Sequence, residues 1–220
     1  MVMRLSRPVL SFVLALGMIG GFCASSPSEA ASFDCTKAKS AHEKLICSTP
    51  DLNSADEEMG TVYRAVDGGF PIKGFMRSNQ ALFLLDYRAC ANDKAKDKGA
   101  AACLDLVRSR IRELQEIGAA KVYAAGDGPY DPSEQVILIG QSGNKPFLMM
   151  FGSWMPDAYR PKPFPYGFIC NERFEMTGQG ADAKLKDVDW EVRITDQTIE
   201  ADSYSCSPRT SFGGSFKRLR

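Results

Sequence analysis

Two different repeats run along this chain. From Ser40 to about Gly118 apolar residues recur every three or four positions, and beyond Gly126-Asp127-Gly128-Pro129 they recur at every second one. In the first stretch Leu52, Ala55, Met59, Val62 and Val66 follow at steps of 3, 4, 3 and 4, which lays one apolar stripe along a helix face. Leu104, Val107, Ile111 and Leu114 repeat at 3, 4 and 3 and predict the last long helix. Between them a helix capped by Ser78 carries Ala81, Leu84, Leu85 and Tyr87, after a loop from Phe70 to Arg77 that contains Pro71. Ahead of these, Ser40-Ala41-His42-Glu43 fits a capping box, in which serine hydroxyl and glutamate satisfy each other's exposed amides. Thr49-Pro50 supplies a second cap with proline at the first helical position. The pattern predicts a small antiparallel helical bundle.

In the second stretch Trp190, Val192 and Ile194 alternate with Glu191, Arg193 and Thr195, so one sheet face is apolar and the other wet. Tyr166, Phe168 and Cys170 alternate in the same way, as do Phe174 and Met176, while Val136–Ile139 and Phe147–Phe151 are continuous apolar runs that fit buried strands. With Thr198–Tyr204 and Ser215–Leu219 the count reaches about six strands, a compact antiparallel sheet or small barrel. The predicted class is therefore α+β, with a helical domain over residues 31–122, an antiparallel β domain over 130–220, and a boundary near 122–132. Gly213-Gly214, with no following Lys-Ser or Lys-Thr, reads as a turn between strands.

The first thirty residues follow neither repeat. Arg4 and Arg7 precede an apolar run from Val9 to about Phe22, and Ser28-Glu29-Ala30 resembles a cleavage site. This is the plan of a secretory signal peptide, and the run is short for a membrane span of about 20 residues. Phe22 before Cys23 is larger than a lipid-attachment site wants, which disfavours an anchor there. Without residues 1–30, which hold Arg4, Arg7, Glu29 and Cys23, 25 basic side chains face 26 acidic ones and six cysteines remain. Near-neutral charge argues against nucleic acid as partner, and the expected location is periplasmic or secreted, with no stable membrane span after cleavage. An even cysteine count in an exported chain reads as disulfides. Six cysteines allow 15 pairings; the simplest is sequential, Cys35–Cys47, Cys90–Cys103 and Cys170–Cys206. No C-x-x-C occurs and His42 is the sole histidine, so neither metal nor cofactor is expected.

The stretch from Ser32 to Ala65 resembles the lysozyme inhibitor LprI-like N-terminal domain. The residues that carry the likeness are Asp34 before Cys35, then Glu43, Lys44, Ile46 and Cys47, then Pro50, Leu52, Asp56 and Tyr63. Gln80, Arg88-Ala89-Cys90, Ala102-Cys103-Leu104, Arg110-Ile111 and Leu114 continue it to about residue 117, with a longer insertion, NDKAKDKGAA, between the last two helices. The resemblance implies an exported, non-enzymatic helical domain associated with inhibiting lysozyme. Lysozyme or another envelope protein is the partner it suggests, and an envelope adaptor that binds peptidoglycan or a periplasmic protein is the alternative.

Few residues suggest catalysis. One histidine on a helix beside Glu43 reads as a solvated helix residue, Asp56-Glu57-Glu58 as a wet helix face, and carboxylate pairs such as Glu172 with Glu175 stand out no more than chance allows. The segment Ser153–Gly167 holds four prolines, with Trp154, Tyr159, Phe164 and Tyr166 interleaved with Arg160 and Lys162. Prolines lower the entropy lost on binding, and aromatics with arginine are common interface anchors. Trp154, Tyr159, Arg160, Lys162 and Phe164 are thus the candidate binding residues, with Arg160 or Lys162 reaching the carboxylates of a glycosidase cleft. The competing reading folds these aromatics back onto the sheet.

Overall fold

The computed structural model describes residues 32–91, 99–125, 135–154, 168–178, 180–207 and 210–220, without the side chains of 153–154, 168–170, 205–207 and 210–212. Four helices come first: α1 Ala41–Ser48, α2 Pro50–Gly69, α3 Phe75–Cys90 and α4 Ala100–Ala119. Eight strands follow, β1 Lys121–Ala125, β2 Gln135–Ser142, β3 Lys145–Trp154, β4 Phe168–Thr177, β5 Lys184–Leu185, β6 Val192–Ile194, β7 Thr198–Ser207 and β8 Thr210–Arg218. They form one antiparallel sheet in the order β5-β4-β3-β2-β1-β8-β7-β6.

Local chemistry explains the helix starts. Ser40 Oγ accepts from the Glu43 amide at 3.1 Å and Glu43 Oε2 accepts in turn from the Ser40 amide at 2.8 Å, completing the predicted box. Thr49 occupies the N-cap position of α2, but its side chain makes no capping bond, so Pro50 at the first turn is the stronger start signal. The third helix departs from expectation. Its N-cap is Gly74 at φ 83°, and Ser78 lies inside the helix. Phe75 is drawn to the start because it stacks on Phe70 at 4.7 Å and meets Phe151 of β3 edge-on at 5.1 Å. The helix consequently rotates: Met76, Asn79, Gln80 and Tyr87 turn inward, and Leu85 is left 42% exposed.

Helices and sheet share a core. Leu52, Met59, Met76, Val107, Leu114 and Ile117 pack with Val122, Val136, Leu138, Phe147, Met149 and Phe151 from one sheet face. The alternate residues of the same strands, Tyr123, Ile137, Leu148 and Met150, join a second cluster with Phe174, Trp190, Ile194, Ile199 and Phe216 on the opposite face. The runs Val136–Ile139 and Phe147–Phe151 are continuous because β2 and β3 are covered on both sides. The second cluster exists because the sheet curls until β7 faces β4: Tyr204 donates to Glu172 Oε2 at 2.7 Å and its ring meets Phe174 edge-on at 5.8 Å.

Gly213 and Gly214 take part in this curl, within β8 and not as a turn between strands. They lie opposite a register shift in β7 between Ala201 and Tyr204. A Cβ on Gly213 would stand 3.1 Å from the Asp202 carbonyl oxygen, and Gly214 has φ +102°. Arg220 then secures the other side. Its guanidinium donates to the carbonyls of Ile117 at 2.9 Å, Ala120 at 3.3 Å and Gly69 at 3.2 Å, satisfying groups at the C-terminal ends of α4 and α2.

Candidate functional site

Cys35–Cys47 joins the N-terminal 3-10 turn to α1, and Cys90–Cys103 joins the end of α3 to α4, each across a Cα separation near that of ordinary disulfides, 5.7 and 5.6 Å. Cys170 lies on β4 and Cys206 on β7, with side chains outside the described residues. Of the predicted binding residues, Trp154 ends β3 with its side chain likewise undescribed, and Tyr159, Arg160, Lys162 and Phe164 lie outside the described residues.

The residues that carry the family resemblance are largely occupied in holding the helices. Asp34 Oδ1 accepts from the Thr36 amide at 2.9 Å and hydroxyl at 2.7 Å, and these bonds with Lys37 keep its carboxyl below the usual range. Ile46 and Leu52 are core. Arg110, 3% exposed, sends its guanidinium to Gln80 Oε1 at 3.1 Å, to Asn79 Oδ1, and to Glu113 at 2.8 Å. That fork bolts α3 to α4.

Two sequence readings need correction here. Asp56 is 2% exposed, and its Oδ2 accepts from Ser32 N at 3.1 Å and Ser32 Oγ at 2.6 Å; only Glu57 and Glu58 face water. His42 is 9% exposed and meets the Tyr87 ring edge-on at 4.2 Å, because α3 closes over α1. Burial lowers the His42 pKa, and Arg88 adds to that against the opposing charges of Asp56 and Glu43. Burial, with the Asp56 carboxylate beside it, pushes the Tyr87 phenol far above its ordinary value. His42 Nε2, Asn53 Oδ1 and Tyr87 Oη are buried with no hydrogen-bond partner among the described residues.

A concavity lies at the seam of the curled sheet. A groove of about 610 Å³ separates β5 from β6, the two ends of the strand order. Its apolar lining residues are Leu185, Val188, Trp190, Val192 and Ala201, the first, third and fourth of them buried in the core, with Trp190 Nε1 donating to the Asp202 carbonyl at 2.8 Å. Five carboxylates line it, Asp182, Asp189, Glu191, Glu200 and Asp202, against two cations, Lys184 and Arg193. Glu200 accepts from Ser215 Oγ at 2.7 Å; Asp182, Asp189, Glu191 and Asp202 form no ion pair among the described residues. A smaller notch of about 360 Å³ lies between α4 and the sheet. There Arg173 bonds Glu116 at 2.5 Å and stacks over Phe147 at 4.0 Å, so its charge is engaged by that carboxylate, while Arg112 and Glu113 also line the notch.

Sequence reasoning missed the groove. The alternation of Trp190, Val192 and Ile194 marks a strand but does not reveal that it ends the sheet. The available signal was the acid-rich segment from Asp182 to Asp202. Among the described residues no group of three or more His, Cys, Asp or Glu side chains could hold a metal ion, and no helix is long and apolar enough to cross a membrane. No family model, curated protein or solved structure matches the chain.

Proposed function

We propose that this is an exported binding protein of the LprI-like kind, a disulfide-stapled helical bundle followed by an antiparallel β domain, which occludes a lysozyme or another envelope target without catalysis. The observation that carries this reading is the seam groove. It combines apolar lining residues, four carboxylates without ion-pair partners among the described residues, and two sheet ends in one cleft. Its volume falls within the range of about 300–1,000 Å³ usual for binding sites, and its lining is more polar than most, with charged side chains around a smaller apolar part. The resemblance supplies the target class, since the residues that carry it explain the helical fold and leave recognition to another surface.

The test is lysis of a cell-wall suspension by lysozyme in the presence of oxidised residues 31–220. Saturable, stoichiometric inhibition is expected. The variant Arg160→Ala/Lys162→Ala, run beside it, tells the proline-rich segment from the groove: a tenfold weakening, about 1.4 kcal/mol, would move the site to that segment. No inhibition at large molar excess would remove lysozyme as target and leave the envelope-adaptor role to be tested by glycan pull-down.

A further inference from the structure

We propose that the seam groove binds one short, extended, cationic segment of a partner protein by strand addition between β6 and β5. This rests on the binding-protein reading and names its ligand chemistry.

The backbone supplies the first argument. In an antiparallel pair, alternate residues turn their N–H and C=O groups toward the partner strand and the rest turn them away. The Asp202 amide donates to Glu191 O at 3.1 Å and the Thr195 amide to Thr198 O at 2.8 Å. Within the β6–β7 register these bonds assign Glu191, Arg193 and Thr195 to β7 and direct the backbone groups of Val192 and Ile194 to the outer edge. On β5, the Lys186 amide donates to Glu175 O at 2.9 Å, which by the same alternation turns Leu185 outward. Two rows of backbone donors and acceptors therefore border one groove. An added strand would bond along β6, β5 or both, which is the geometry of peptide recognition at a sheet edge. With three residues in β6 and two in β5, the match is to a segment of a few residues. Such short edges also prevent indiscriminate pairing.

Charge selects the occupant. The lining carries three more acids than bases. An acidic strand would be repelled, and a neutral one would partly desolvate carboxylates without compensating them. Lysine or arginine at alternate positions of an added strand can reach Asp189, Glu191 or Asp202, while the intervening apolar side chains face Trp190 and Val192. A second copy of this chain fits poorly, because antiparallel pairing of two β6 strands over Val192–Ile194 would set Arg193 directly opposite Arg193. The segment 155–167 leaves β3 at Trp154 and enters β4 at Phe168, the end of β4 away from Met176 and Thr177, where β5 pairs.

The experiment titrates oxidised residues 31–220 with three fluorescent pentapeptides and follows anisotropy: Lys-Val-Lys-Val-Lys, its glutamate counterpart, and Lys-Pro-Lys-Pro-Lys. Saturable binding of the first is expected, weakening as salt rises. The proline peptide, with equal charge but fewer N–H donors, should bind at least tenfold more weakly, and the glutamate peptide should not bind. Glu191→Lys/Asp202→Lys, both on the surface, should weaken the first peptide at least tenfold while leaving the circular dichroism spectrum unchanged. Equal binding of the valine and proline peptides would overturn strand addition, and undiminished binding to the charge-reversed protein would overturn the groove as the site. No binding of any peptide overturns this inference alone if lysozyme is still inhibited; loss of both removes the binding-protein reading as well.

Discussion

The helical region and the sheet seam treat exposed chemistry in opposite ways. Around α1–α4, several charged and polar groups are turned inward and tied down, although His42 Nε2, Asn53 Oδ1 and Tyr87 Oη are not: Arg110 spans three acceptors, Asp56 holds Ser32, and two disulfides close short loops. At the seam, backbone groups of Val192, Ile194 and Leu185 turn to an open groove, and four carboxylates have no ion-pair partner among the described residues. The contrast separates jobs. Substitutions in the first region should act on stability, and substitutions at the seam should act on binding and leave stability nearly unchanged.

The largest effect expected is from Arg110→Ala. It strands the Asn79 and Gln80 acceptors in a buried site and should cost about 3–4 kcal/mol in urea unfolding. A loss under about 1 kcal/mol would mean that the fork is incidental to the α3–α4 contact. Next, Cys90→Ala/Cys103→Ala and Cys35→Ala/Cys47→Ala open crosslinks spanning 13 and 12 residues. Each pair should lose about 2–3 kcal/mol, checked by thermal unfolding beside the reduced parent. Gly214→Ala forces a side chain onto φ +102° and should cost about 1–2 kcal/mol. A neutral result would show that β8 can relax without losing the curl.

A smaller, pH-dependent effect belongs to His42. Because its pKa is lowered in the folded chain, the unfolded chain takes up the proton first as pH falls. The associated stability is complete above the ordinary histidine range, near pH 6.5, declines as pH drops through it, and levels off below the folded value. Between pH 7.5 and 5 the denaturation midpoint of the parent should fall relative to that of His42→Phe. Parallel curves would exclude His42 as the cause. Smallest of all, Glu191→Lys on the exposed seam should shift stability by less than about 0.5 kcal/mol, and a larger loss would break the division between the two regions.

The helices were legible because their signals are local. A capping box, a proline at a first turn and stripes at three- and four-residue steps depend on neighbours within one or two turns, and α1, α2 and α4 follow them. The third helix failed where a distant contact intervened. Phe75 belongs to α3 because Phe70 and Phe151 receive it, and Phe151 is 76 positions away in the chain. The same cause buries His42 and Asp56, which the local pattern assigned to water. The sheet was partly legible: six strand segments could be read, whereas β1 was absent from the reading because Lys121–Ala125 continues from α4 without a turn signal, and β5 because it has two residues.

By itself, then, the sequence determined the change of period, the mixed α+β class, the start of α1 and the disulfide-ready cysteine spacings, because each depends on nearby residues or on composition. Tertiary structure alone decided which strands end the sheet, how the curl brings Tyr204 to Glu172, and that an acid-lined groove opens between β5 and β6. Strand order and curvature arise from pairings between residues far apart in the chain, and a periodicity of two records which face a side chain takes without recording what, if anything, lies beside its backbone.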